Sequence, residues 1–181
     1  MVFNLPVMLT WMRIGFIPLL VFLFYLHEPW APLAAALVFG LAGVTDWADG
    51  YLARLWQQES RFGAFLDPVA DKLIVAVALI LLVEREGAIW MTLAAIIIIG
   101  REIVISALRE WMAEIGARGK VAVAFIGKLK TTLQIIALSF LLYNQDLFGL
   151  LPLRELGLIA LVIATILTII SMVQYLYSAF R

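Results

Sequence analysis

Long apolar segments follow one another along almost the whole chain, and this feature restricts the fold more than any other. Short links divide the chain into six such segments, near 5–26, 31–55, 62–84, 87–112, 121–144 and 153–180. About 20 helical residues are needed to cross the ~30 Å hydrocarbon core of a bilayer. The sequence therefore predicts an all-α integral membrane protein, with six transmembrane helices in a single membrane domain over residues 1–181.

The composition supports this class and excludes several kinds of chemistry. Hydrophobic residues make up 65% of the chain, well above the share in soluble domains, and charged residues make up 14%. Thirteen basic residues balance thirteen acidic ones, so no overall charge attracts nucleic acid. The chain has no cysteine and only one histidine, His27, which excludes disulfides, thiolate zinc sites and multi-histidine metal sites. Its chemistry must rely on carboxylates, cations and hydroxyls.

Basic residues are distributed unequally between the two ends of the predicted bundle. Six spans place both termini, the link between spans two and three, and the link between spans four and five on one side. That side collects eleven of the thirteen basic residues, and the other has only Arg85 and Arg154. Because basic residues favour the cytoplasmic side, we predict that both termini are cytoplasmic and that a polar cavity opens to the cytoplasmic side.

Acidic residues with helical spacing lie near this predicted cytoplasmic surface. One face of the second helix carries Asp46, Asp49, Gly50, Ala53 and Arg54, and one face of the third carries Gly63, Asp67 and Asp71. A helical hairpin brings the two faces together, and its carboxylates repel one another unless cations or protons intervene. Because the available ligands are hard oxygens, we expect Mg²⁺ or Mn²⁺, with room for two ions. Such ions imply a phosphate-bearing substrate.

Other interpretations of these residues stay open at this point. The aspartates are also compatible with a structural ion-pair network, although acids inside a membrane are usually functional. Arg54 fits either a substrate phosphate or neutralisation of a nearby carboxylate. Gly50, Ala53 and Gly63 leave room for a flat ligand such as a nucleotide, and they equally allow close packing of membrane helices.

A second group of charges lies at the cytoplasmic ends of the fourth and fifth helices. Its basic members are Arg101, Arg109, Lys128 and Lys130. Such cations fit the ordinary positive flank that sets topology and touches lipid headgroups. We expect Glu102 and Glu110 to pair with neighbouring cations.

The aspartate motif resembles the signature of a known family. This motif resembles the signature of the CDP-alcohol phosphotransferases at every fixed position. In this chain it reads Asp46-x2-Asp49-Gly50-x2-Ala53-Arg54-x8-Gly63-x3-Asp67-x3-Asp71. The resemblance extends over essentially the whole chain. It is greatest to bacterial members that transfer the phosphatidyl group of CDP-diacylglycerol to sn-glycerol 3-phosphate and release CMP.

This resemblance implies roles for individual residues. Asp71 is implied to take the proton from the acceptor hydroxyl as well as to bind metal. The dianionic phosphate of the implied acceptor needs cations, and the candidates are Arg101, Arg109, Lys128 and Lys130. The implied metal ligands are Asp46, Asp49, Asp67 and Asp71, and the residues implied to bind CDP-diacylglycerol are Asp49, Gly50, Ala53, Arg54 and Gly63. The resemblance also implies a homodimer in the bacterial cytoplasmic (inner) membrane, with the active site on the cytoplasmic side.

Other functions remain as alternatives. A sister reaction with another acceptor, such as inositol phosphate, serine or phosphatidylglycerol, would use the same aspartate motif. An ion-coupled transporter would need polar residues through the full membrane thickness, whereas stretches such as Ile74–Val83 and Ala88–Ile99 are nearly all apolar. A non-catalytic membrane scaffold would leave the carboxylate cluster unexplained.

Overall fold

Helices account for almost all of the chain that the computed structural model describes. It describes residues 5–56, 61–116, 125–147 and 149–180, with the backbone alone at 5–7, 46–56, 61–65, 125–126, 128 and 180. The helices are α1 (Leu5–Tyr25), α2 (Ala31–Trp56), α3 (Arg61–Glu86), α4 (Ile89–Glu114), α5 (Phe125–Tyr143) and α6 (Leu153–Phe180). The described residues form no regular strand. The prediction of an all-helical chain is therefore confirmed.

Apolar length distinguishes the helices from one another. By length and composition, α1, α4 and α6 could each cross a membrane, with spans Met8–Tyr25, Ile89–Glu114 and Leu153–Ala179. Among the residues whose side chains are described, α2 and α5 contain shorter apolar stretches, Ala31–Thr45 and Leu129–Tyr143. These lengths confirm a helical membrane protein.

The helices pack in a closed ring. Contacts connect α1 to α2, α2 to α5, α5 to α6, α6 to α4, α4 to α3, and α3 back to α1. In addition, α3 contacts α2 and α5. Polar side chains on α3 can therefore be faced by side chains from several neighbouring helices at once.

The main hydrophobic core receives buried side chains from every helix of the ring. Representative members, one from each of α1 to α6, are Leu20, Phe39, Leu79, Ile98, Leu141 and Leu161. A second, smaller core joins α4 to α6 through Ile105, Leu108, Met112, Tyr175 and Ala179. Since lipid tails are as apolar as these side chains, close van der Waals packing holds the helices together.

Charged side chains join the helices at the end where α3 finishes. Glu86 is 8% exposed and accepts from Arg154 on α6 at 2.6 Å. Nη2 of Arg85 donates to the carbonyl oxygen of Leu141 on α5 at 2.6 Å. Helix α3 continues to Glu86, two residues beyond the end predicted near residue 84. The helix stops at Gly87, whose φ of +59° favours glycine.

Gly157 lies at a close contact between α6 and α5. A Cβ atom there would lie 3.0 Å from Cγ of Leu141, 3.1 Å from Cβ of Phe140 and 3.2 Å from the carbonyl oxygen of Ala137. We expect Gly157→Ala to lower the free energy of unfolding by about 1–3 kcal/mol, because this contact cannot take an added methyl group without a shift. Thermal unfolding in detergent measures the effect. The matched control is Gly15→Ala on α1, where no described atom lies within 4 Å; a Gly157→Ala protein as stable as this control would contradict the packing.

Candidate active site

A cavity of about 380 Å³ lies between α1, α2, α3, α4 and α5. Its described basic side chains are Arg13, Lys72, Arg101, Arg109 and Lys130, and its described acidic ones are Asp67, Asp71 and Glu102. Among the described side chains, five are basic and three are acidic. Cavities of this size accept small molecules, and the basic side chains can attract an anion.

Carboxylates on α3 are held by side chains of α1. The hydroxyl of Thr10 donates to Oδ1 of Asp67, and Nη1 of Arg13 donates to Oδ1 of Asp71. The pairs lie 57 and 58 residues apart along the chain, so α1 and α3 run parallel at nearly constant register. Arg13 is 1% exposed, whereas the side chain of Asp71 is 36% exposed. The buried cation therefore orients a carboxylate that remains open to the cavity.

Across the cavity, α4 and α5 form a second charged cluster around Glu102. Lys130 on α5 donates to Oε1 of Glu102, and Nη1 of Arg101 lies 3.2 Å from the same oxygen. Two residues of α6 hold the other side of the Arg101 guanidinium: Oγ of Ser171 accepts at 2.8 Å, and the ring of Tyr175 lies 5.5 Å away. Arg101 and Lys130 are thus fixed in position, and the expected pairing of Glu102 with neighbouring cations is confirmed.

The structure brings several of the predicted site residues to one place. Asp67 and Asp71 line the same cavity as Arg101, Arg109 and Lys130. The remaining predicted side chains lie outside the described residues: Asp46, Asp49, Gly50, Ala53, Arg54, Gly63 and Lys128. Their roles stay predictions, although the helix that carries the first five, α2, contacts α3.

The sequence analysis gives no individual role to Arg13 and Gln134, which line the cavity, or to Thr10, which donates to Asp67. The signal for Arg13 was its position within an otherwise apolar span, since a lone charge inside a membrane almost always has a partner. Sequence alone does not show that this partner is Asp71, because the register of α1 against α3 is a property of the packed fold.

Comparison with known proteins places the chain in a family. The model of the CDP-alcohol phosphatidyltransferase family matches residues 3–173. The chain belongs to this family. The membership expected from the aspartate motif is therefore confirmed, and the match covers all of the cavity residues named above.

Similar members of the family come from enteric bacteria. Proteins from Escherichia coli (strain K12), Shigella flexneri serotype 5b (strain 8401) and Shigella boydii serotype 4 (strain Sb227) are each 52% identical over 179 residues. The alignments cover 99% of this chain and 96% of each relative. All three relatives are named CDP-diacylglycerol–glycerol-3-phosphate 3-phosphatidyltransferase.

CDP-alcohol phosphatidyltransferases generally use a divalent metal ion, and the cavity can be tested for donors that suit one. Asp67 and Asp71 supply hard carboxylate oxygens one helical turn apart on α3, which is the ligand chemistry that Mg²⁺ prefers. Within the described ranges, no group of three or more acidic or histidine side chains is placed to hold an ion. The two aspartates therefore fit part of a metal site, to which α2 would have to add further ligands.

Proposed function

We propose that this chain transfers the phosphatidyl group of CDP-diacylglycerol to sn-glycerol 3-phosphate, giving phosphatidylglycerol phosphate and CMP. The observation that carries this proposal is the single cavity in which the α3 carboxylates face the cations of α4 and α5. Phosphoryl transfer needs the carboxylates, and a phosphorylated acceptor needs the cations. The names of the relatives support the same reaction.

The donor half of the site is built on α2 and α3. Asp46, Asp49, Asp67 and Asp71 hold the divalent ion, or two ions, Mg²⁺ or Mn²⁺. A metal bound there would neutralise the diphosphate of CDP-diacylglycerol and would stabilise the charge that develops as CMP leaves. Nucleotide and diphosphate contacts come from Asp49, Gly50, Ala53, Arg54 and Gly63.

The acceptor half of the site is built on α4 and α5. Arg101, Arg109, Lys128 and Lys130 bind the phosphate of glycerol 3-phosphate. Arg101 is held by Ser171 and Glu102, so its guanidinium is already oriented before the acceptor arrives. An oriented cation loses little conformational freedom on binding, and this lowers the cost of placing the acceptor.

Asp71 connects the two halves. Its carboxylate takes the proton from the primary hydroxyl of the acceptor, and the hydroxyl oxygen attacks the phosphorus that carries the diacylglycerol. A phosphorus–oxygen bond forms to the acceptor, the bond to the CMP phosphate breaks, and CMP leaves with the electron pair. Arg13 holds Asp71 on the side that faces the cavity, so the carboxylate is oriented for this step.

We also propose that all six helices cross the bacterial cytoplasmic membrane, with both termini and the cavity on the cytoplasmic side. The charged cavity residues that the structure describes lie in the first halves of α1, α3 and α5 and from the middle of α4 onward, which is the same side of an alternating bundle. The substrates glycerol 3-phosphate and CDP-diacylglycerol can meet there, one from the cytosol and one from the inner leaflet. The apolar outer faces allow a homodimer.

A direct assay tests the reaction. Purified protein in mixed micelles with CDP-diacylglycerol and Mg²⁺ should release CMP only when an acceptor is added. Radiolabelled glycerol 3-phosphate should enter the organic phase in equal amount. Inositol 1-phosphate, serine and phosphatidylglycerol test the sister reactions on the same preparation. CMP release that requires one of those three alcohols, and not glycerol 3-phosphate, would overturn the proposed acceptor; no CMP release with any acceptor would overturn the enzyme class.

A further inference from the structure

Gln134 on α5 is a buried polar side chain that no step above uses. It is 4% exposed and lines the cavity. Its Oε1 atom is fully buried and has no hydrogen-bond donor among the residues that the structure describes. Buried carbonyl oxygens almost always have a partner, because burial removes the hydrogen bonds that they make in water. A ligand in the cavity with a hydroxyl group would supply the donor.

The position of Gln134 relative to Lys130 narrows the choice of ligand group. Gln134 follows Lys130 by four residues, so both project from the same face of α5, one turn apart. Lys130 is 1% exposed and also lines the cavity. A substrate whose phosphate lies at Lys130 therefore extends its carbon chain past Oε1 of Gln134 on the same helix.

Glycerol 3-phosphate carries two hydroxyl groups beyond its phosphate. The primary hydroxyl must lie at Asp71 for the reaction to occur, which leaves the secondary hydroxyl on the middle carbon for Gln134. We propose that Oε1 of Gln134 accepts a hydrogen bond from this secondary hydroxyl and so determines which acceptor alcohols are used. This inference rests on the proposed function and adds the residue that recognises the middle carbon of the acceptor substrate.

The consequence is a preference for a hydrogen-bond donor at the middle carbon of the acceptor. An acceptor without that donor leaves Oε1 buried and unsatisfied in the complex. Sites built to bind a substrate hydroxyl discriminate strongly against analogues that lack it, for this reason. With the amide in the orientation that the structure shows, a carbonyl group at the same carbon is disfavoured too, since it would place two oxygen acceptors against each other.

Two alternative acceptors test this preference. One is 3-hydroxypropyl phosphate, which lacks the secondary hydroxyl, and the other is dihydroxyacetone phosphate, which has a carbonyl in its place. For the wild-type protein we expect kcat/KM to be about 10- to 100-fold lower with each than with glycerol 3-phosphate. Gln134→Met keeps the length of the side chain and removes the acceptor oxygen. In this variant the three acceptors should differ by no more than about threefold.

Internal and matched controls separate recognition from loss of fold. All acceptor substrates are measured on one preparation of each variant. A lower amount of folded protein therefore cancels in the ratio of the kcat/KM values for two substrates. Thr168→Val on α6 is the matched control: Thr168 is equally buried, bonds to the carbonyl oxygen of Ala164 at 2.6 Å and does not line the cavity. It should keep the wild-type preference. Gln134→Asn shortens the side chain and retains the amide, so it should give an intermediate preference. It replaces Gln134→Met in the test if the Met variant does not fold.

A Gln134→Met or Gln134→Asn protein with the full wild-type preference would overturn the inference, and so would a wild-type protein that uses the three acceptors equally well. Failure of the proposed function is seen separately, as a wild-type protein that releases no CMP with glycerol 3-phosphate.

Discussion

Replacing Asp71 by Asn should lower the rate of CMP release by about a thousandfold, the scale of an acid–base catalyst. The amide has the shape of the carboxylate and can still accept a hydrogen bond from Arg13, but it cannot take a proton from the acceptor hydroxyl. The loss should fall mainly on kcat, because the groups proposed to bind the acceptor phosphate lie across the cavity on α4 and α5. Steady-state rates with CDP-diacylglycerol and glycerol 3-phosphate measure both parameters.

A matched substitution elsewhere separates catalysis from a general loss of charge. Asp146 is exposed in the link after α5, and Asp146→Asn should leave kcat unchanged. Melting temperatures of both variants in detergent show how much protein is folded, since Arg13 loses an ionised partner in the first variant. If folded Asp71→Asn protein keeps a tenth or more of the wild-type rate, about 1.4 kcal/mol or less in barrier, the role given to Asp71 is wrong.

Replacing Lys130 by Met should raise the KM for glycerol 3-phosphate by about 10- to 100-fold, the usual worth of a charge-assisted hydrogen bond. The ammonium group has three donors, so it can keep its contact with Glu102 and still bind a phosphate. The KM for CDP-diacylglycerol should not change, because that substrate is proposed to bind on α2 and α3. Initial rates over a range of each substrate give the two constants.

The control for Lys130 is a basic residue at the far end of the bundle. Arg154 pairs with the buried Glu86, so Arg154→Met also removes a cation from a buried carboxylate. It should reduce stability and leave the KM for glycerol 3-phosphate unchanged. Equal effects of Lys130→Met on the constants for both substrates would indicate a structural role for Lys130 and would contradict acceptor binding.

The fold could be predicted from the sequence to the extent that it depends on apolar segment length. The six helices agree with the six predicted segments because long apolar runs and their short links are local features. The contacts at the end of α3 could not be predicted because they depend on distant residues: Glu86 pairs with Arg154 on α6. Such partners cannot be identified from the residues near the helix end.

In the candidate site, too, local sequence patterns were predictable and contacts between distant residues were not. Asp67 and Asp71 were predicted because their spacing places them on one face of a helix, and their resemblance to a family motif added a chemical role. Arg13 and Gln134 were missed because their importance lies in contacts made after folding. A single cation in α1 and a single amide in α5 have no local pattern that distinguishes them from a topology signal or a packing residue.

The most direct test of the shared cavity uses the absence of native cysteine. Ser106 is half-buried and lines the cavity, whereas Ser178 on α6 is exposed and does not. Each is replaced by cysteine, and the rate of labelling with an anionic methanethiosulfonate reagent is measured. Saturating CDP-diacylglycerol and glycerol 3-phosphate should slow labelling of Ser106→Cys and leave Ser178→Cys unaffected, and labelled Ser106→Cys should no longer release CMP. Equal labelling of Ser106→Cys with and without both substrates, or full activity after complete labelling, would contradict a reaction in this cavity.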